Sequence, residues 1–304
     1  MKTAKILKLI IRLLVGCLFI TTAVLKLFSL DEFEVYIYSF QIFSFVFSTV
    51  VARMVIAAEM LLGICLMSKM LYKHAWYLTQ LMLIGFTGLL VYTAIFRNDS
   101  NCHCFGSFIE VNPVLSIVKN LVTIGLLLFV RKEEDYQFRG KKAALIAAFV
   151  ISVIVPFCVF PMDKLYNHFV SPYGNINTIG FAKLEADSNM STYDISNGNY
   201  ITAVYASGCK YCKLSAKKFN QIMMRNNLDA QHFQILIWGD SASVRKFREE
   251  SGCTAYPFHI IDPFTAIDIV NGKFPFFIMT RNDSVVKAFD YRGIAEDEIA
   301  DFLK

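Results

Sequence analysis

Eight cysteines are spread along the chain, and their spacing sorts them by the chemistry they can do. Cys209 and Cys212 enclose Lys-Tyr, and Cys102 and Cys104 flank His103. Thiols this close in sequence suit thiol–disulfide exchange or metal ligation. A structural zinc site asks for a second ligand pair of short spacing. Cys253 and His259, the remaining candidates near Cys209 and Cys212, do not have that spacing. Cys102, His103 and Cys104 lack a fourth ligand, so no metal is expected at either pair. Cys17, Cys65 and Cys158 lie inside apolar runs, where a lone cysteine behaves as a small hydrophobe, and a buried thiol is the default for Cys253. His103 reads two ways, as a proton acceptor for the neighbouring thiols or as an exposed loop residue.

The segments around Cys209 explain why it would react. Residues 200–206, Tyr-Ile-Thr-Ala-Val-Tyr-Ala, read as a buried strand. Ser207-Gly208 turn the chain, and Cys209 opens a helix running to about Arg225. A cysteine at a helix N-terminus faces unpaired backbone N–H groups and the positive end of the helix dipole, which stabilise its thiolate. Cys209 is therefore the attacking sulfur, and Cys212, one turn deeper, the resolving one. A second strand is predicted at Phe233–Trp238, a helix near Ser241–Glu250 and a third strand from Phe274. Asn282-Asp283-Ser284 then turns a hairpin into Val285–Tyr291, and Glu296–Leu303 closes as a helix.

The first half of the chain is of another kind. Overall, 55% of residues are hydrophobic and only 18% charged, against roughly a quarter charged in an ordinary soluble domain. Residues 1–161 hold 15 Lys/Arg and 9 Asp/Glu, a net of +6; residues 162–304 hold 15 and 16, a net of −1; the two make the total of +5. Disorder, coiled coil and collagen are excluded, and nucleic acid is not an expected partner, because the positive charge lies between apolar runs. Apolar runs near 7–30, 45–67, 74–96, 114–130 and 143–161 approach the ~20 residues of a membrane helix. The fourth is short, but Asn112-Pro113 marks a clean helix start. Lys2, Lys5 and Lys8, then Lys69 and Lys73, then Arg131, Lys132, Arg139, Lys141 and Lys142 occupy alternate connections. Lys/Arg remain cytoplasmic, so the N-terminus is inside, and the loop 97–113 and residues 162–304 are outside. Both cysteine pairs thus fall on the oxidising face, where disulfides persist. Leu14-Val15-Gly16-Cys17 matches a lipoprotein cleavage box, but Arg12 leaves only a stub of apolar residues before it.

Charges inside the spans must pair or line a site. Arg12 enters from the inside and Glu59 lies past mid-depth toward the inside, so the two could pair. Lys26 and Arg53 lie in the outer half, near the depth of Cys102 and Cys104. Arg53 has two readings, a donor that polarises a quinone carbonyl and a member of an ion pair that holds the bundle together.

Two resemblances now add to this. Residues 176–304 resemble the thioredoxin fold in their strand–Cys-x-x-Cys–helix unit and in a proline just before the strand of the final hairpin, Pro275. In that family this proline is cis and faces the cysteine pair. Pro257 is the competitor, but the segment after it lacks a hairpin partner. Ser207-Gly208 stands where the family usually has Trp before the first cysteine. Residues 5–132 resemble the DoxX/MauE superfamily of four-helix membrane proteins in Arg12-x-x-x-Gly16, Lys26 and Glu59, and the Cys-His-Cys-Phe-Gly of 102–106 resembles the Cys-x-Cys-Phe-Gly signature of the MauE methylamine-utilisation branch. His103 replaces the commoner small residue there. That branch is associated with a thioredoxin-like partner in maturing a disulfide-rich enzyme subunit. The bacterial DsbB family and the vitamin K epoxide reductases share the general plan of four helices, a loop cysteine pair and a quinone.

The expected architecture is therefore an α-helical membrane bundle of four helices (1–132), a fifth transmembrane helix and linker (133–175) and an α/β thioredoxin-like domain (176–304). The resemblances imply a thiol–disulfide oxidoreductase of the bacterial inner membrane, in contact with its lipid and with its thioredoxin-like domain in the periplasm. Cysteine-containing extracytoplasmic clients would exchange with Cys209 and Cys212 beside Pro275. Electrons would then pass to Cys102 and Cys104 and on to a quinone at Arg53, with His103 beside it. A Cys-x-Cys disulfide closes a small ring and should be easily reduced. Two alternatives stand beside this reading, a reductive conduit that delivers electrons outward and a non-catalytic assembly factor.

Overall fold

The computed structural model describes residues 2–97, 101–102, 104–107, 109, 111–131, 133–174 and 195–304. It divides into two compact units, one of Met1–Ile37 with Val46–Pro161 and one of Met162–Lys304 with the short stretch Tyr38–Phe45.

The first unit is helical. α1 (Lys2–Phe28), α3 (Phe45–Ser68), α4 (Tyr72–Tyr92, continued by a π-helical turn Thr93–Arg97) and α6 (Lys141–Cys158) are long and apolar enough to cross a membrane. α5 (Pro113–Phe129) is apolar but has 17 residues, roughly 26 Å at 1.5 Å per residue. Outward-facing Leu81, Leu115, Val122, Ile146, Phe149 and Ile151 are more than half exposed. In water such surfaces would be a liability, whereas in lipid they are the expected solvent contact. The first apolar run extends to residue 30, but the structure breaks it after Phe28 and begins a separate short helix, α2 (Leu30–Tyr38), with Asp31 and Glu32 in its first turn.

α1 and α3 approach closely because neither bears a side chain at the crossing. A Cβ on Gly63 would stand 2.7 Å from Ile20 Cγ1 and 2.9 Å from Gly16 O. Small residues at such a crossing are the usual device of membrane helix packing. α4 is tied to α5 by side chains that find backbone carbonyls inside the bundle. Trp76 Nε1 donates to Leu127 O at 2.7 Å, and the Tyr72 hydroxyl donates to Val130 O at 2.9 Å.

The second unit is built on a mixed five-stranded sheet, ordered β4-β3-β2-β5-β6. A short strand in the first unit, β1 (Cys104–Ser107), is separate from it. β2 (Asn199–Ala206) pairs in parallel with β3 (Phe233–Trp238) and antiparallel with β5 (Phe276–Arg281). β6 (Ser284–Asp290) returns beside β5 through Asn282-Asp283, both at positive φ as a tight two-residue hairpin turn requires. Alternation along the strands sends side chains to both faces. On one face Val204, Leu236, Phe276 and Ile278 pack with Ala266, Ile269 and Val270 of α10 (Pro263–Val270). On the other, Phe219 of α8 (Lys210–Arg225) stacks on Phe233 at 4.1 Å and on Phe277 at 5.5 Å. Phe247 of α9 (Ser241–Ser251) meets Tyr205 at 5.4 Å, and α11 (Glu296–Leu303) closes the chain. α7 (Asp163–Phe169) leads in, with Asn167 donating to Arg292 O at 2.7 Å.

The strands and helices read from the sequence are present. Among the described residues, β1, α2, α7, β4 (Phe258–Ile261) and the α10 after it lie beyond the elements expected from the sequence. β4 has only four residues and pairs in parallel with β3, so the strand after Pro257 has no hairpin partner.

Candidate functional site

Cys209 is the N-cap residue of α8, delivered there by the end of β2 and the Ser207-Gly208 turn. The Cys212 N–H donates to Cys209 Sγ at 3.2 Å. The Cys209 thiol is pulled down to about 6, first by the hydrogen bond from the Cys212 thiol and then by the backbone N–H groups of Cys212 and Tyr211. Cys209 is partly exposed and Cys212 is fully buried. Burial, followed by the bond to Cys209, pushes the Cys212 thiol far up. One sulfur is thus an accessible thiolate and the other a protonated thiol behind it, the arrangement that attack followed by resolution requires.

Pro275 sits at the same end of the sheet. β5 begins at Phe276 opposite Val204, two residues before β2 ends, and the Phe274–Pro275 peptide is cis. Cys253 lies apart from the pair as a buried thiol, with Sγ 3.6 Å from Ala216 O. Among the described residues no group of three or more His, Cys, Asp or Glu side chains is placed to hold a metal ion.

A direct consequence is a pH profile. Alkylation of Cys209 in the reduced full-length chain is expected to rise with pH through a midpoint near 6, whereas an ordinary thiol titrates at about 8.5. The thiolate is the reactive form, so reactivity falls below that midpoint. Mass-spectrometric quantification of the Cys209 and Cys212 peptides checks this, with Cys212 labelled slowly throughout.

The second pair lies in the first unit, on the connection between α4 and α5. The Cys102 N–H bonds to Val111 O at 2.9 Å, and the Cys104 N–H donates to Cys102 Sγ at 3.2 Å. Cys102 Sγ is also 2.9 Å from Ser116 Oγ, on the first turn of α5. That turn is set by Asn112, whose side chain accepts from Val114 N at 2.8 Å, and by Pro113 at the first helical position. The Cys102 thiol is drawn down to about 6, chiefly by the Cys104 thiol's hydrogen bond, with Ser116, the Cys104 N–H and the Lys119 charge adding to it. Cys104, which gives that bond, is pushed far up. Cys102 is buried and Cys104 is partly accessible.

Gly106 ends this cysteine loop for a steric reason. Its φ is +66°, and a Cβ there would run into Ser29 Oγ and lie 2.8 Å from Leu25 O. Only glycine lets β1 lie this close to the end of α1. Gly106→Ala is expected to cost about 1–3 kcal/mol. The strain falls on the cysteine loop, so alkylation of Cys102 in the reduced protein should rise severalfold.

Beside Cys104, a cavity of about 30 Å³ is lined by Lys26, Glu59, Lys119 and Asn120 among apolar side chains of α1 and α4. Lys26 pairs with Glu59, and both side chains are about 95% buried. Glu59 is paired with Lys26 and not with Arg12, the partner that sequence depth allowed. α1 and α3 run antiparallel past the Gly16–Gly63 crossing, which puts Glu59 on the Lys26 side and Arg12 on the far side, roughly 12 Å away in depth at 1.5 Å per residue. Arg53 pairs with Glu34 of α2 and donates to Thr49 O at 3.0 Å and to Phe160 O at 2.8 Å. It is not among the residues lining the cavity beside Cys104. His103 lies outside the described residues. Ser116, Lys119 and Asn120 were not foreseen, although the polar positions Ser116, Lys119, Asn120 and Thr123 recur every three or four residues in an otherwise apolar helix.

With the geometry in place, comparison with known proteins bears on the first unit. Residues 4–131 match the family of the methylamine utilisation protein MauE. Over that stretch the chain is similar to the MauE family. The Cys-His-Cys-Phe-Gly loop, the Lys26–Glu59 pair and the cavity all fall within these residues. The chain is also similar to protein TlpB of Flavobacterium psychrophilum, 25% identical, with 83% of this chain and 82% of that protein covered. No solved structure matches it significantly. The MauE domain and its apolar helices make this a membrane protein.

Proposed function

We propose that the chain is a membrane thiol–disulfide oxidoreductase that oxidises cysteine-containing client proteins outside the cytoplasm. The observation that carries this reading is that in each of two separate, closely spaced cysteine pairs one sulfur accepts the backbone N–H of the other cysteine. The parallel and antiparallel pairings of β2, the Cys-x-x-Cys at the start of α8 and the cis Pro275 support reading residues 176–304 as a thioredoxin-like domain. The Lys/Arg asymmetry supports a cytoplasmic N-terminus in the bacterial inner membrane, with both pairs on the periplasmic side. Similarity to protein TlpB over most of both chains supports reading the two units as one working protein.

The exchange runs in two halves. A client thiolate attacks Sγ of Cys209 in the Cys209–Cys212 disulfide, and Cys212 leaves with the electron pair. A second client thiolate displaces Cys209, so the client gains a disulfide and the arm becomes a dithiol. The Cys209 thiolate then opens the Cys102–Cys104 disulfide, and Cys212 displaces the mixed disulfide. Two electrons have moved into the MauE domain, and the arm is again oxidised. Pro275 lies beside the client during the first half. Both pairs belong to one chain, which raises their effective concentration to roughly millimolar, so weak docking suffices.

A quinone is the acceptor that the family resemblance implies beyond Cys102 and Cys104. Lys26, Lys119 and Asn120 are suitable donors to a carbonyl, but the cavity they line, about 30 Å³, admits a water molecule and not a quinone ring. Arg53 lies away from that cavity, with Nη1 engaged by Glu34 and Thr49 O and Nη2 by Phe160 O. The residues therefore do not fit a quinone in this form, and the exchange is taken only as far as Cys102 and Cys104.

The test is stoichiometric. Purified full-length protein, loaded with both disulfides, is given excess reduced dithiol peptide without any other oxidant. Two equivalents of peptide disulfide per chain are expected, and one from the Cys102→Ser/Cys104→Ser variant. Equal yields from the two proteins would overturn the transfer.

A further inference from the structure

The two sulfurs of the Cys102–Cys104 pair are not equivalent, and the structure separates their roles. Cys102 Sγ is buried, 2.9 Å from Ser116 Oγ and 3.2 Å from the Cys104 N–H, with Lys119 one turn further along α5. Cys104 is the accessible member, on the side of the cavity. In disulfide exchange the attacked sulfur must be reachable, and the other sulfur must leave carrying the electron pair. A leaving thiolate departs faster where its charge is already accommodated.

We propose that Cys104 is the sulfur attacked by the arm and Cys102 the leaving thiolate, with Ser116 and Lys119 as the positioning residues that receive its charge. This rests on the reading that the two pairs exchange. In the step, the Cys209 thiolate forms a bond to Cys104 Sγ and the Cys104–Cys102 bond breaks. The electron pair goes to Cys102, and no proton is needed there, because the Cys104 N–H and the Ser116 hydroxyl donate to the new anion. Attack at Cys102 would require entry to a buried sulfur and would expel Cys104, which shares its cavity with the Lys26–Glu59 pair and not with Ser116. The charged and titratable groups about the pair are Lys119 from α5, Lys26 from α1 and Glu59 from α3; α4 lines the cavity with apolar Leu83 and Phe86. The ready ionisation of the reduced Cys102 thiol, lowered chiefly by the hydrogen bond from Cys104, agrees with this assignment.

Two readouts on the full-length chain test it. The first is the thiolate ultraviolet absorbance of the fully reduced protein, taken as the difference from Cys102→Ser. Its midpoint is expected to move up by about one pH unit in Ser116→Ala, a tenfold change in the ionisation constant, and to return in Ser116→Thr, which restores the hydroxyl. An unmoved midpoint, or a Thr variant that behaves as Ala, overturns the role of Ser116. The second is trapping under mild oxidation in a Cys212→Ala background. Cys209 is expected to crosslink to Cys104 when Cys102 is Ala, at least tenfold more than to Cys102 when Cys104 is Ala. The reverse preference overturns the assignment and leaves the exchange reading intact, whereas crosslinking to neither overturns both.

Discussion

Cys209→Ser is expected to lower the rate of client oxidation by at least about a thousandfold, with no comparable loss of stability. The sulfur is partly exposed at the start of α8, and its hydrogen-bond partner Cys212 N–H has an equally good acceptor in a serine oxygen. What is lost is the nucleophile, because a serine hydroxyl at that position has no base to ionise it. Cys212→Ser should behave differently. It leaves the attacking sulfur in place and removes the one that displaces the mixed disulfide with the Cys102/Cys104 pair, so a disulfide between Cys209 and that pair accumulates and is visible as a band shift that a reductant removes. Rates measured with a reduced dithiol peptide, alongside a non-reducing gel, separate the two. A Cys209→Ser protein with undiminished activity would favour the non-catalytic assembly factor over an exchange enzyme.

Glu59→Gln carries the largest expected loss of stability. Lys26 and Glu59 are paired in the interior of the helical bundle, with the Lys26 ammonium 5.5 Å from the centre of the Phe33 ring and 5.3 Å from that of Phe86. Removing one partner of a buried pair leaves the other charge uncompensated and typically costs about 3–5 kcal/mol. Replacing both by uncharged groups of similar size leaves no uncompensated charge. Glu59→Gln is therefore expected to destabilise by about that amount, and Lys26→Met/Glu59→Gln by much less. Denaturant titrations of the wild type, both single variants and the double variant give the coupling. A single-variant loss under about 1 kcal/mol would mean that water or lipid headgroups reach this pair.

Much of the fold is legible because apolar length and helix start signals are local. The runs that became α1, α3, α4, α5 and α6 are visible from hydropathy, and Asn112-Pro113 marks the start of α5 to the residue. The strand–turn–helix around Cys209 follows from a β-rich run, Ser207-Gly208 and amphipathic spacing. α2 was hidden because its apolar residues continue the run of α1, and only the break at Ser29 with the acidic turn after it marks a new helix. β4 was hidden by its four-residue length, although Asp262-Pro263 did announce α10, with the Asp262 side chain accepting from Phe264 N and Thr265 N at 3.0 Å.

The sites divide in the same way. Each cysteine pair is a local pattern and needs no tertiary information. Which charge meets which inside the bundle depends on how far two antiparallel helices slide past each other, and that register is set by Gly16 and Gly63. Without it, Arg12 is as plausible a partner for Glu59 as Lys26. Arg53 has two readings in the sequence, and its ion-pair partner cannot be named there because Glu34 stands in a connection that sequence alone treats as loop; α2 brings Glu34 back to it. The contribution of Ser116 to Cys102 depends on the loop folding onto the first turn of α5, which the Cys102 N–H to Val111 O bond secures.

The exchange between the two pairs is tested most directly by acid-trapped thiol labelling of Cys209 and Cys212 in native membranes. The chain as it stands is compared with Cys102→Ser/Cys104→Ser. If the MauE domain accepts electrons from the arm, Cys209 and Cys212 are mostly disulfide in the first and accumulate as thiols in the second. An arm equally oxidised in both would show that its oxidant is something other than Cys102 and Cys104. An arm reduced in both would point to electrons flowing outward through it.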